Sequence, residues 1–166
     1  MKMAAQIGPP TAAIRAHEEL FAYWRSLCEA NAAPPRRKVD PAHMKRLLPT
    51  VSLIETPETT GEDYRVRLAG TGLYSVYGRE ITGRSFGEVY NSAAADYWRC
   101  ELDKVVSDRK PGVGVHSLAW RGASHLSIVW IRLPLANDGD GVGMILGYDA
   151  VVGHVGGAAT GIRPAA

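Results

Sequence analysis

One stretch of the sequence, SHLSIVWIRLPL at residues 124–135, constrains the fold more than any other. In an extended strand, successive side chains point to opposite faces of the sheet. On that rule one face carries Val129, Ile131 and Leu133, and the other carries Leu126, Ile128 and Trp130. Because both faces are apolar, we expect both to be covered by other parts of the protein.

A helix is predicted near the N-terminus, with Thr11 as its N-cap and Pro34 and Pro35 ending it. Apolar residues recur there at spacings of three and four, which gives one apolar stripe: Ala13, Ala16, Leu20, Tyr23, Trp24 and Leu27. This helix could cover one face of its own sheet, the sheet of a second subunit, or both. We favour both, and expect a homodimer whose interface includes Leu20, Phe21, Tyr23, Trp24 and Leu27.

The order of predicted elements indicates an α+β fold. A short helix capped by Asp40 is followed by two strands, TVSLIET and DYRVRLA, that form a hairpin. The glycine-rich stretch 70–90 predicts short helical turns, and the stretch from Ala93 to Asp108 a longer helix. Three strands then close the domain: GVHSLAW, SHLSIVWIRLPL and VGMILGYDAVV. Their connections are tight, so they should be antiparallel neighbours.

Composition excludes several classes of protein. The 166 residues are 46% hydrophobic and 22% charged, as in a globular domain, and the net charge of +2 is too small to favour nucleic acid. No run approaches the roughly 18 apolar residues of a membrane span. The N-terminus lacks the apolar stretch of a secretion signal, so the expected location is the cytoplasm. Cys28 and Cys100 are expected to be reduced thiols, and Cys100 to be buried.

Candidate catalytic groups are few. The five histidines are His17, His43, His116, His125 and His154, and none lies at a metal-ligand spacing from another. An acid–base pair would have to combine His116 or His125 with Asp103 or Asp149, and no sequence spacing unites them. We therefore expect no catalytic residues, no metal and no enzyme activity.

Four motifs occur in order between Phe21 and Tyr90. A helical YW segment is followed by an R-x-x-DP step into an LLP helix end, then by RLAGT and GREITGRSF. This combination resembles a family of small single-domain PAS proteins found mainly in alphaproteobacteria. The resemblance implies a five-stranded antiparallel sheet in the order 2-1-5-4-3, running from near Val51 to near Val152, with helices on one face. Composition predicts flexible tails at 1–10 and 156–166. Between them we expect an N-terminal helical extension (11–49) and a PAS-like domain (50–155).

The resemblance also implies a sensory or signalling role. Aromatic side chains cluster in and beside the helical middle, where such folds hold ligands, and their apolar bodies and polar tips suit a small organic molecule. The expected ligand-binding residues are Tyr74, Tyr77, Phe86, Tyr90, Trp98 and Leu102. Cys100 is outside the Asn-Cys-Arg-Phe context of flavin-binding light sensors, and the helix from Ala93 to Asp108 has no histidine for haem. No cofactor is therefore expected.

The leading hypothesis is a non-catalytic sensory module that binds a small organic ligand, a signalling protein partner, or both. The alternative is a small α+β enzyme with a cone-like pocket, such as a hydrolase or isomerase. A third hypothesis is a degenerate PAS scaffold that only mediates assembly.

Overall fold

A computed structural model of the chain describes residues 7–153. Its centre is an antiparallel sheet in the order β2-β1-β5-β4-β3, which confirms the predicted order. The strands are β1 (Val51–Glu55), β2 (Arg65–Ala69), β3 (Gly112–Leu118), β4 (Ala123–Ala136) and β5 (Val142–Gly153). The helices are α1 (Pro10–Leu27), α2 (Leu73–Tyr77), α3 (Phe86–Val89) and α4 (Ser92–Asp108). The predicted tail at 156–166 lies outside the described residues.

Two predicted helix features are wrong. Helix α1 begins at Pro10 and not after Thr11, because proline is favoured in a first turn, where its missing N–H needs no partner. The short helix predicted after Asp40 is replaced by 3₁₀ turns at Pro41–Met44 and Leu48–Thr50. A second proline so soon after the first leaves no room for a regular helix. Asp40 does act as a cap, since its side chain accepts from the Ala42 N–H at 2.9 Å.

The outer face of the sheet is covered by α1 of the same chain. Leu20 and Trp24 are buried against Ile131, Leu133 and other aliphatic residues of the sheet. The Trp24 indole Nε1 donates to the Pro134 carbonyl at 2.9 Å, which fixes the helix on β4. The long strand is therefore covered on both faces, as its sequence predicts.

The inner face is covered by α2, α3 and α4. The buried side chains there are largely aromatic, and those of Phe86, Trp98 and Trp130 are almost fully buried. On α4 the inward residues include Trp98 and Leu102, and Cys100 lies on the opposite side of the helix. Cys100 is consequently exposed, and the prediction that it is buried is wrong.

Candidate functional site: a buried polar cluster beside an open pocket

The inner face holds an ion pair that is cut off from solvent. Arg132 on β4 and Asp149 on β5 have side chains that are each 2% exposed, and Arg132 Nη2 lies 2.8 Å from Asp149 Oδ1. The strand register places Trp130 opposite Asp149 and Arg132 opposite Gly147, so the two charged residues are diagonal neighbours on one face. Arg132 Nη1 also donates to the Tyr148 carbonyl at 3.3 Å.

Gly147 makes room for the guanidinium of Arg132. A Cβ at this position would lie 2.6 Å from Ser52 Oγ, which is too close, and 3.2 Å from Arg132 Cζ, which is tighter than most Cβ contacts. On another side the guanidinium carbon sits 4.6 Å from the ring centroid of Trp98, a cation–π distance. The arginine is thus held by its acid partner, backbone carbonyls and an aromatic face.

Two tyrosine hydroxyls extend the ion pair towards the helices. Tyr77 at the end of α2 donates to Asp149 Oδ2 at 2.8 Å, and the Tyr90 hydroxyl donates to that of Tyr77 at 3.3 Å. Burial raises the pKa of both tyrosines, so both stay protonated donors. Burial lowers the pKa of Arg132, but the Asp149 carboxylate and the neighbouring Tyr77 and Tyr90 together more than offset this, so the net shift is upward.

Several buried nitrogen atoms on this side have no hydrogen-bond partner within residues 7–153. They are Trp98 Nε1, His116 Nδ1, Trp120 Nε1 and Arg132 Nε. The Tyr90 ring connects the two indoles, since its centroid lies 6.0 Å from that of Trp98 and 5.1 Å from that of Trp120. We call Tyr77, Tyr90, Trp98, Trp120, Arg132 and Asp149 together the inner polar cluster.

A pocket of about 550 Å³ opens beside this cluster. It lies where β5 runs past Val51, the first residue of β1 and the partner of Tyr148. Asp149 belongs to both the pocket and the cluster. The other residues that line the pocket are Gly8, Pro9, Ala12, Ala13, Arg46, Pro49, Thr50, Thr71, Gly72, Ser75, Val76, Tyr148, Ala150 and Val151. The N-terminal wall is attached to β5 because the Gly8 N–H donates to the Val151 carbonyl at 3.1 Å.

Five of the six predicted ligand-binding residues meet in the inner core: Tyr77, Phe86, Tyr90, Trp98 and Leu102. Tyr74 does not join them and is 58% exposed, because the five-residue α2 turns Leu73, Val76 and Tyr77 inward and Tyr74 outward. None of the six lines the pocket beside Asp149. Their role as ligand contacts stays a prediction.

The predicted dimer residues are divided by the fold. Leu20 and Trp24 are buried against the chain's own sheet, so a second subunit does not reach them. Tyr23 and Leu27 are half-buried, and Phe21 is exposed. The reason is that one stripe of α1 is enough to cover the outer face, which leaves only the flank of the helix free.

The histidine–carboxylate pairs considered for an enzyme are not formed within the described part of the chain. The register places Ile128 opposite His116, and His125 lies exposed near the start of β4. Asp103 accepts from a tyrosine hydroxyl, and Asp149 is paired with arginine. Burial lowers the pKa of His116, which keeps its ring neutral. His154 lies outside the described residues.

Arg132 and Trp120 are the cluster residues that the sequence analysis did not predict. The sequence did indicate a buried position for Arg132, because alternation along β4 puts it on the same face as Ile128 and Trp130. Asp149 was considered only as a catalytic acid. Its pairing with Arg132 depends on the register between β4 and β5, which neither strand reveals alone.

Comparison with known proteins identifies the family to which this fold belongs. A family model described as a PAS domain matches residues 13–149. The chain belongs to the PAS domain family. The resemblance noted in the sequence is thereby confirmed, and the family identifies a sensory or signalling domain. The narrower likeness to the alphaproteobacterial group stays a prediction.

Two solved structures are similar to this PAS domain. One is the PAS domain of a protein from Colwellia psychrerythraea, with 11% identity over 68% of this chain and 98% of that chain and a TM-score of 0.49. The other is a fungal LOV domain photoreceptor, with 17% identity over 79% of this chain and 89% of that chain and a TM-score of 0.47. A search among curated proteins finds no match. Within residues 7–153, no helix has the length and apolar character that crossing a bilayer requires.

Proposed function

We propose that this PAS domain senses a small organic molecule on the inner side of its sheet and transmits binding to a protein partner, without catalysis. The inner polar cluster supports this proposal. A buried ion pair is weak evidence for stability, because apolar residues of similar volume often stabilise a core equally well or better. Each buried N–H without a partner also costs about 1 to 3 kcal/mol. A core that contains both features is better explained as a binding site.

The contacts of Asp149 offer a route from the ligand to the surface. This carboxylate links β5 to α2 through Tyr77, and the residue Asp149 is among those that border the open pocket. A ligand that changes the partners of Asp149 or Tyr77 therefore shifts α2. Helix α2 carries the exposed Tyr74, which a partner can contact. The earlier expectation of a cytoplasmic location stays a prediction.

Native mass spectrometry of freshly purified protein tests the proposal. We expect an added mass that is retained under native conditions and lost on denaturation. Trp98→Phe and Trp120→Phe should lower its occupancy, and Trp24→Phe on the outer face is the matched control. A protein that keeps only its own mass, as isolated and after incubation with a small-molecule cell extract, contradicts the proposal.

We also propose a homodimer as the means of output. Apolar side chains remain exposed on the flank of α1 and on the outer face of the edge strand β3: Ile14, Phe21, Val113 and Val115. Exposed apolar side chains of this size are a feature of interfaces, and a second copy of the chain would cover them. Light scattering at tens of micromolar should give a dimer for the natural chain and a monomer for Phe21→Glu with Val115→Glu. A natural chain that is monomeric under these conditions contradicts the dimer.

Catalysis is left out of the proposal because the candidate histidines and carboxylates stand apart. The enzyme alternative would need one of the histidines within hydrogen-bonding distance of an acid at a pocket. Among the described residues, His116 stacks on the Tyr97 ring at 4.2 Å between centroids and makes no such contact.

A further inference from the structure

The inner polar cluster has more hydrogen-bond donors than acceptors. Asp149 Oδ2 accepts from the Tyr77 hydroxyl, and Asp149 Oδ1 lies 2.8 Å from Arg132 Nη2 in the ion pair but has no regular hydrogen bond, so one unpaired acceptor stands against three unpaired donors. The N–H groups of Trp98 and Trp120 and the Nε–H of Arg132 have no acceptor within residues 7–153. An occupant that satisfies the cluster must therefore supply acceptor atoms.

The charge of the cluster is already balanced. The Arg132 guanidinium faces the Asp149 carboxylate at 2.8 Å, and the remaining members are neutral indoles and protonated phenols. An occupant with a net charge would add an uncompensated charge to a solvent-excluded site, which is strongly unfavourable. The balance favours a neutral molecule.

The surfaces of the cluster are flat rings. The Tyr77 and Tyr90 centroids lie 5.7 Å apart with their planes at 81°, and the Trp120 ring lies 6.3 Å from that of Tyr77. Rings set at such angles offer both faces and edges for contact with another ring. The cluster therefore suits a planar or ring-containing body.

We propose that the ligand is a small neutral ring compound with carbonyl-type oxygens, which accept hydrogen bonds from the indole N–H groups of Trp98 and Trp120 and from Arg132 Nε. This inference rests on the proposed function and names the class of its ligand. The pocket of about 550 Å³ meets the cluster at Asp149 and is the entrance. The Tyr77–Asp149 hydrogen bond is the contact that must open on entry.

Three probes of similar size separate the chemistry. Acetophenone is neutral and has an acceptor oxygen, ethylbenzene is neutral and has none, and benzoate has acceptors and a negative charge. Isothermal titration calorimetry with the full chain should give acetophenone an affinity at least about tenfold above that of ethylbenzene, the factor that corresponds to about 1.4 kcal/mol. Benzoate should bind more weakly than acetophenone.

Tryptophan variants locate the contact. Trp120→Phe keeps a ring but removes an N–H, and because Trp120 is only partly buried this variant should fold. It should remove most of the preference for acetophenone over ethylbenzene, and Trp98→Phe should do the same. Trp24→Phe, whose indole N–H is bonded to Pro134 on the outer face, should leave the preference unchanged. Circular dichroism verifies the fold of each variant.

Each other outcome overturns a defined part of the proposal. Equal affinities for acetophenone and ethylbenzene contradict recognition by the N–H groups but leave a ligand site standing. Tighter binding of benzoate contradicts the neutral class. If none of the three probes binds, the ligand class proposed here fails, and the native mass spectrum decides separately whether the protein carries a ligand at all.

Discussion

The two faces of the sheet are built from different chemistry, although the same three central strands supply both. On the outer face, α1 packs aliphatic residues against the sheet, and its one buried indole has an acceptor. On the inner face, α2, α3 and α4 enclose aromatic rings, a buried ion pair and four buried nitrogen atoms that lack partners within residues 7–153. The outer face thus has the mainly aliphatic composition of a core whose only role is to stabilise the fold.

This difference shows that the inner face is the less stabilising of the two. Buried polar groups in folded proteins nearly always have hydrogen-bond partners, and the outer face follows that rule. The inner face departs from it at several neighbouring side chains at once. Departures of this kind concentrate at functional sites, where they are offset by the rest of the fold.

The largest effect should come from separating the inner ion pair. Arg132→Met leaves Asp149 buried without its partner and should destabilise the protein by about 3 to 5 kcal/mol. The double variant Arg132→Met with Asp149→Asn removes both charges and keeps an acceptor for Tyr77, so it should recover most of this loss. Urea unfolding measures both. A double variant as unstable as the single one would show that charge burial is not the cause.

On the outer face, a large effect should arise from lost packing alone. Leu20→Ala should cost about 2 to 5 kcal/mol, because Leu20 is fully buried between α1 and the sheet. Thermal or urea unfolding measures the loss, and acetophenone affinity should stay unchanged in the folded variant. A change in affinity with intact fold would mean that the two faces are coupled and would break the comparison.

A smaller effect separates the indoles of the two faces. Trp24→Phe leaves the Pro134 carbonyl without its indole donor and should cost about 1 to 3 kcal/mol in addition to any packing loss. Trp120→Phe removes an N–H that has no partner within residues 7–153, so no hydrogen bond is lost and the variant should be closer to the natural chain. If Trp120→Phe proves the more destabilising of the two, the assignment of unsatisfied groups to the inner face is wrong.

The smallest effect concerns pH. Burial lowers the pKa of His17 on the outer side and of His116 on the inner side. In the unfolded chain both histidines have a pKa of about 6.5, so the unfolded state takes up protons first as the pH falls. Stability should be full above that value and decline as the pH falls towards the lower folded pKa values. Proton NMR titration should show both shifts, and acetophenone should alter the titration of His116 only, whose ring lies 5.5 Å from Trp98.

The sequence predicted the architecture well because periodicity reports it directly. Alternation in 124–135 and the stripe on α1 predicted the two covered faces, and turn-rich connections predicted antiparallel neighbours. Caps and short turns were less predictable, as Thr11 shows, because two prolines near a helix start compete for its first position. The site was predicted only in part. Tyr77, Tyr90 and Trp98 came from aromatic clustering, whereas the Arg132–Asp149 pair depends on strand register, and the orientation of Tyr74 depends on where a five-residue helix begins.

The central claim is that the inner face receives a ligand and the outer face does not. The chain has four tryptophans, two of which have indole acceptors and two of which have none within residues 7–153. A ¹H–¹⁵N spectrum of the indole N–H groups, recorded during an acetophenone titration, reports on all four at once.

We expect saturable downfield shifts for Trp98 and Trp120, a smaller change for Trp130, and none for Trp24. Uniform changes at all four indoles, or a shift at Trp24 with Trp98 and Trp120 unmoved, would contradict the claim that the two faces differ in function.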